Sequence, residues 1–267
     1  MTINNKNKII EYFESGIKKK ELIGVENEKF LFFKDIGKRA DYPIVQKLLE
    51  AFSKEYDWKK INENSNLIGL KLDGKSISLE PGNQLELAGD KLNNIHEVCS
   101  ESYNFQDQLK KICNKLNLEA MSVGYDPITK LNEAPNNPKE RYKIMTEEMP
   151  KNGKLSLDMM YHTCGTQINL DYLSEKDFSK KFKLSTYLTP IFIAIFSNSA
   201  IKENLSSGYL SYRAHVWQNT NRGGLPSIFF EDMDFEKYAD FSMSMPMLFI
   251  FNQNKHFSIK NKTFKDF

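Results

Sequence analysis

The chain has 267 residues, 40% of them hydrophobic and 27% charged, with a formal net charge of +2. That balance excludes a disordered, highly charged chain and supplies no strong field to draw in nucleic acid or a membrane surface. Three cysteines (Cys99, Cys113, Cys164) and four histidines (His96, His162, His215, His256) fall at no metal-ligand spacing, which excludes zinc-finger and disulfide scaffolds and predicts a reducing, cytoplasmic setting.

The N-terminal stretch MTINNKNKII is polar, without a signal-peptide apolar segment. Residues 4–20 place Ile9, Ile10, Phe13 and Ile17 at helical spacing, and ELIGVENEKFLFF at 21–33 reads as a strand. Residues 43–56 form a helix opened by Pro43 at a first-turn position. Strands follow at 66–72 and 76–80 around the hairpin signal Asp73-Gly74, then at 84–89. Residues 90–117 have a helical pattern, EAMSVGY is strand-like, and KERYKIMTEEM is a short helix. LSLDMMYHT and GTQINLDY read as two β-runs split near Cys164-Gly165. Ser174 caps a helix with Asp177 at its third position. The longest apolar run, Pro190–Phe196, is too short to cross a bilayer and reads as a buried segment. Residues 206–226 read as a Gly/Asn/Ser-rich loop, followed by a helix near 234–245 and a strand at 247–251. The order of elements is that of an α+β fold with mostly hairpin-connected strands.

Three strands carry carboxylate or carboxamide faces. Side chains two apart on a strand share a face, so Glu26 and Glu28 stand side by side. Glu80 ends a strand before the Pro81-Gly82 break, after which Gln84 and Glu86 share a face. Gln167, Asn169 and Asp171 share a third. Each pattern alone is also what a half-exposed antiparallel strand shows. Gathered in one sheet, they make a basin of hard oxygen ligands suited to Mg²⁺ on a nucleotide's phosphates. No GxxxxGK[ST] loop occurs, so phosphate binding would not be of the P-loop kind. Of 37 basic residues only Arg39, Arg141, Arg213 and Arg222 are arginine. In a chain that otherwise uses lysine, an arginine marks a place that needs a planar fork for carboxylate or phosphate, or else simple surface packing.

The strings IGVENEKF, SLEPGNQLELAG, NNIHEVC, RYKIMTEEMP, LDMMYHTCGTQINLDY, GYLSYRAHVW and MPMLFIF resemble, in order, the plant and proteobacterial type of glutamate–cysteine ligase. The resemblance runs from about residue 20 to the end. It implies a glutamine-synthetase-like α+β fold, with a mainly antiparallel sheet of about six strands and helices packed around it. Residues 1–267 would then be one ATP-dependent ligase catalytic domain, incomplete at its C-terminus. The implied reaction joins the γ-carboxylate of L-glutamate to L-cysteine through γ-glutamyl phosphate, the first step of glutathione biosynthesis, with Mg²⁺ as cofactor and small molecules as the only partners. Carried over by residue, it makes Glu26, Glu28, Glu80 and Glu86 magnesium ligands. Gln167, Asn169 and Arg222 would bind ATP, while Arg141, Arg213 and Trp217 would bind substrate. Arg213 and Arg222 would act on the reacting groups. The chain departs from the family pattern at His162, where arginine is common, and at Gln218-Asn219-Thr220-Asn221, where acidic residues are usual. Glutamate joined to another amine, or a non-catalytic binding domain, are the competing readings. Cys99 matches a position of a regulatory disulfide in some relatives and is read here as a small core residue.

Overall fold

The computed structural model describes residues 6–221, 223–253, 255–260 and 262–266. Its centre is the eleven-residue strand β1 (Ile23–Phe33), whose alternation gives it two different faces. Val25 and Leu31 point one way with the apolar side chains of β3 (Asn66–Leu72), β4 (Lys75–Leu79) and β5 (Leu85–Ala88). Glu26 and Glu28 point the other way. With β2 (Lys59–Glu63), β6 (Leu118–Met121) and β7 (Thr166–Leu170), these make a seven-stranded, wholly antiparallel sheet. Its order is β2-β3-β4-β5-β1-β6, and β7 pairs with the first half of β1 on the edge where β6 pairs with the second. The expected architecture of about six antiparallel strands with surrounding helices is the one observed.

Helices α2 (Tyr42–Tyr56) and α3 (Ile95–Lys115) cover the apolar face. Val45, Leu48, Leu49 and Phe52 repeat at helical spacing and are wholly buried against Leu70, Ile77, Leu79 and Leu85. Each such side chain contributes about 1.5–3 kcal/mol by leaving water. Side-chain oxygens cap both helices. Asp41 accepts from the Ile44 amide ahead of Tyr42-Pro43, and Asn94 accepts from the His96 and Glu97 amides. The helix expected over 4–20 is α1 (Lys6–Ser15), its first two expected residues lying outside those described.

The opposite face is walled by α4 (Glu140–Glu148), α5 (Ser156–His162) and α7 (Tyr212–Gln218). α6 (Glu175–Ile195) is capped as expected, with Ser174 Oγ accepting from the Asp177 amide at 3.1 Å. Two small hairpins, β8 (Ile201–Lys202) with β9 (Leu205–Ser206) and β10 (Phe249–Asn252) with β11 (Lys255–Ser258), and helix α8 (Phe235–Met243) complete the fold. No helix among the described residues is long and apolar enough to cross a membrane.

Four local expectations are corrected. LSLDMMYHT is not a strand but contains α5, because Leu157, Met160 and Tyr161, at i, i+3, i+4 helical spacing, pack together with Met149, a spacing that the short apolar run left ambiguous. The 206–226 loop contains α7, started by Ser211 Oγ accepting from the Ala214 amide. Pro190–Phe196 ends α6, yet Ile191, Phe192, Ile195 and Phe196 are exposed, since nothing among the described residues packs on that side. Cys99 is exposed, because it lies off the Phe105–Leu109–Ile112–Cys113 stripe by which α3 meets the core.

Candidate active site

The acid face of the sheet assembles by register. Glu28 stands opposite Glu86, which stands opposite Ser78, and Glu26 stands opposite Gln167. Glu80 follows β4 directly and enters a three-residue turn, Pro81-Gly82-Asn83, closed by the Glu80 amide donating to Gln84 O at 2.9 Å. Asn83 takes the left-handed conformation (φ 59°) that ends such a loop. A Cβ on Gly82 would lie 2.6 Å from Tyr161 O, so this position needs glycine.

Glu26, Glu28, Glu80 and Glu86 thus line one cavity of about 300 Å³, together with Gln84, Gln167, Tyr142, Met145, Met159, Met160, Arg213 and Trp217. Asn169 lies one step outward on β7, accepting from Gln167 Nε2 and donating to Glu26 Oε1, each at 3.1 Å. Asp171 leaves the row and accepts from the Leu22 amide. Arg213 enters from α7, its guanidinium over the Trp217 ring at 5.4 Å and 3.0 Å from where a Gly165 Cβ would stand. Its Nε is buried without a hydrogen-bond partner. Arg141 does not line the cavity; it donates to Tyr142 Oη at 3.0 Å, and Tyr142 Oη in turn lies 3.3 Å from Glu80 Oε1. Arg222 lies outside the described residues.

Two of the carboxylates are held far from their ordinary titration range. Burial, then Glu80 and Glu86, pushes Glu28 up to about 7, against the opposing Gly165 amide and Arg213. Burial, then Glu80 and Glu26, pushes Glu86 up to about 7. Both groups bind protons more tightly folded than unfolded, so their contribution to stability is present below about pH 4.5 and is lost as pH rises through about 7. The metal-free chain is therefore expected to melt at falling temperature from pH 5 to 8, and Glu28→Gln is expected to flatten that slope in a calorimetric series. A slope equal in wild type and variant would contradict the crowding. Asp126 works in the opposite direction. Burial would raise its pKa, but Arg39 and the Thr129 and Ile128 amides outweigh it, so its contribution is lost as pH falls through its depressed value.

The donor set fits a divalent cation. It is all oxygen, it concentrates negative charge that crowding makes hard to hold, and it adjoins Gln84, whose Oε1 is buried with no partner while its Nε2 is fixed by Met160 O and Thr163 O. The four carboxylates share the cavity without converging to single-ion distance, as like charges unscreened would stand.

The model of glutamate–cysteine ligase family 2 matches residues 22–265. The chain belongs to this family. The glutamate–cysteine ligase A, chloroplastic, of Oryza sativa subsp. japonica is 41% identical over 98% of this chain and 54% of its own length. The glutamate–cysteine ligases, chloroplastic, of Nicotiana tabacum and Arabidopsis thaliana are 40% and 38% identical over 98% and 97% of the chain. The chain spans about half the length of the curated relatives it matches. The expected cytoplasmic setting is overturned by these names, each of which is chloroplastic. Cysteine spacing reports a reducing environment and does not distinguish one reducing compartment from another.

Within this glutamate–cysteine ligase family chain, two positions beneath the cavity carry structure. His162, one of the departures noted in the sequence, is buried with its Nδ1 3.1 Å from Tyr125 Oη, whose hydroxyl donates to Asp158 at 2.8 Å. Arg39, flagged by the scarcity of arginine but given no role, is 3% exposed and pairs with the fully buried Asp126 at 2.7 Å. It also donates to Gly82 O, and its guanidinium lies 4.4 Å from the Phe30 ring centroid. The pair thereby ties the Glu80 turn to β1 and α5. Arg39→Met leaves Asp126 buried and unpaired, and a loss of about 3–5 kcal/mol in urea unfolding is expected. A loss under about 1 kcal/mol would contradict this role.

Proposed function

We propose that this chain carries the metal–nucleotide and glutamate-binding face of an ATP-dependent glutamate–cysteine ligase. The observation that carries the reading is the convergence of Glu26, Glu28, Glu80, Glu86 and Arg213 on one cavity, in a chain whose relatives are named glutamate–cysteine ligases. The four glutamates, with Gln84 Oε1, would hold Mg²⁺, which when bound screens the triphosphate's charge. Gln167 and Asn169 extend the polar floor toward the nucleotide. Arg213 offers a guanidinium for the α-carboxylate of glutamate, with the Trp217 ring beneath it and Arg141 bonded to Tyr142. Arg222 is assigned to the ATP phosphates on sequence alone.

A free carboxylate is a poor electrophile. The γ-carboxylate oxygen of glutamate therefore attacks the γ-phosphorus of ATP, releasing ADP and leaving an acyl phosphate. The amine of cysteine attacks that carbonyl carbon, the amide forms, phosphate leaves, and the amine's proton is lost to solvent. No side chain of this chain needs to become covalently attached. Its residues position the two carboxylates and exclude water from the acyl phosphate.

The test uses protein extended to the length of its relatives, with ATP, Mg²⁺ and glutamate, and reads phosphate release with cysteine and with other amines. Release that prefers cysteine is expected. Release without that preference would point to a carboxylate–amine ligase of other specificity. No release with any amine would favour a non-catalytic binding domain.

A further inference from the structure

Away from the cavity, three metal-capable side chains from distant parts of the chain meet at one point. Glu63 ends β2, Glu140 opens α4 and His256 lies on β11, and ligand atoms of all three fall within 4.8 Å of one another. No other such group of three occurs among the described residues.

The local bonding orients each group toward a common centre. One oxygen of Glu63 accepts from the Glu140 amide at 2.8 Å, which fixes its carboxylate at the start of α4. One oxygen of Glu140 accepts from Asn64 Nδ2 at 2.8 Å, and the other faces His256 Nδ1 at 3.5 Å. Outer partners of this kind set the direction of a carboxylate ligand. The imidazole lies against the rings of Phe249 and Phe251, 5.2 and 4.9 Å away by centroid, and its Nδ1 is shielded from solvent with no hydrogen-bond partner. A shielded ring nitrogen facing the Glu140 carboxylate, with the Glu63 carboxylate in the same cluster, has a reason to be there if it shares an ion with them.

We propose that Glu63, Glu140 and His256 bind a divalent transition-metal ion of the zinc class. One imidazole with two carboxylates suits such an ion, and the nitrogen donor selects against Mg²⁺. Ligands about 2.0–2.1 Å from tetrahedral zinc stand ~3.4 Å apart; Glu140 and His256 already stand 3.5 Å apart, so only Glu63 needs to move closer on binding. Water completes the shell. The bound ion staples the β10–β11 hairpin to α4 and to the end of β2. The same helix presents Tyr142 and Met145 to the cavity, and Leu248 at the root of the hairpin packs against the cluster of Met149, Met160 and Tyr161. Occupancy therefore stiffens one wall of the cavity. The proposal stands apart from the ligase reading and uses none of its residues.

The test is titration of the metal-free chain with Co²⁺ in excess Mg²⁺, which occupies the oxygen-only cavity. One equivalent with the intense visible absorption of low-coordinate cobalt is expected. His256→Asn and Glu140→Gln should each weaken it at least tenfold, whereas Glu28→Gln should leave it unchanged. Absence of the band, or a band indifferent to His256→Asn, would overturn the proposal. X-ray absorption of the wild-type zinc-loaded chain decides the matter even if a variant folds poorly. One imidazole nitrogen among oxygen neighbours is expected, and none or more than one would overturn it.

Discussion

Glu28→Gln is expected to raise the stability of the metal-free chain at pH 8 and, on the proposed ligase reading, to weaken its binding of Mg²⁺. Glu28 is ionised at that pH in both folded and unfolded chain, but in the folded chain burial, Glu80 and Glu86 have pushed its pKa up to about 7. Removing the charge relieves that cost, set at no more than about 3.5 kcal/mol by the size of the shift. Loss of the attraction to Arg213 and of a charged acceptor for the Gly165 amide subtracts from it. A net gain of about 1–2 kcal/mol follows, read as a melting temperature higher by a few degrees. In protein extended to its relatives' length, the same change is expected to lower turnover by about 10²-fold or more, because phosphoryl transfer depends on charge placed in advance of the reaction. A carboxylate that only decorates the surface would move neither quantity.

Arg213→Lys is expected to raise the KM for glutamate by about 10²-fold with little change in melting temperature. The guanidinium lies over the Trp217 ring at 5.4 Å from its centroid and close to the Gly165 backbone, and its Nε is buried without a partner. A fork fixed in this way matches a carboxylate through two parallel hydrogen bonds, each charge-assisted. Lysine keeps the positive charge but offers a point donor on a mobile stem, so it cannot restore both bonds or fill the buried position. Arg213→Met should lose more than Arg213→Lys. Equal and small effects of the two substitutions on KM would show that Arg213 only packs against Trp217.

The parts of the site carried by strands were legible in the sequence, because period-two alternation fixes which side chains share a face. Glu26 with Glu28, and Gln84 with Glu86, needed only a sheet to bring them together, and the register of β1 with β5 and β7 does so. What pairs with what was not legible, since register depends on contacts between segments far apart in the chain. The walls were harder. α5 is seven residues long, too short for helical periodicity to override a strand-like run, and α7 is hidden in a stretch whose glycines and asparagines read as loop. Arg39 stood out as a scarce arginine, but its buried partner Asp126 is 87 residues away, and nothing local signals a pair of that kind. Lys139 gave no signal at all. Its ammonium donates to Leu79 O beside Glu80, and burial followed by the Arg141 charge lowers its pKa to about 8.

Mn²⁺ affinity, measured by the disappearance of the free-ion paramagnetic resonance signal, tests the shared basin most directly. Single Glu→Gln changes at 26, 28, 80 and 86 are compared with the control Glu119→Gln on β6. Each of the four should weaken binding about tenfold or more while the control stays at the wild-type value. Binding that survives the four substitutions together, in a chain that also carries His256→Asn, would mean that these carboxylates, though neighbours across the sheet, do not serve a common cation.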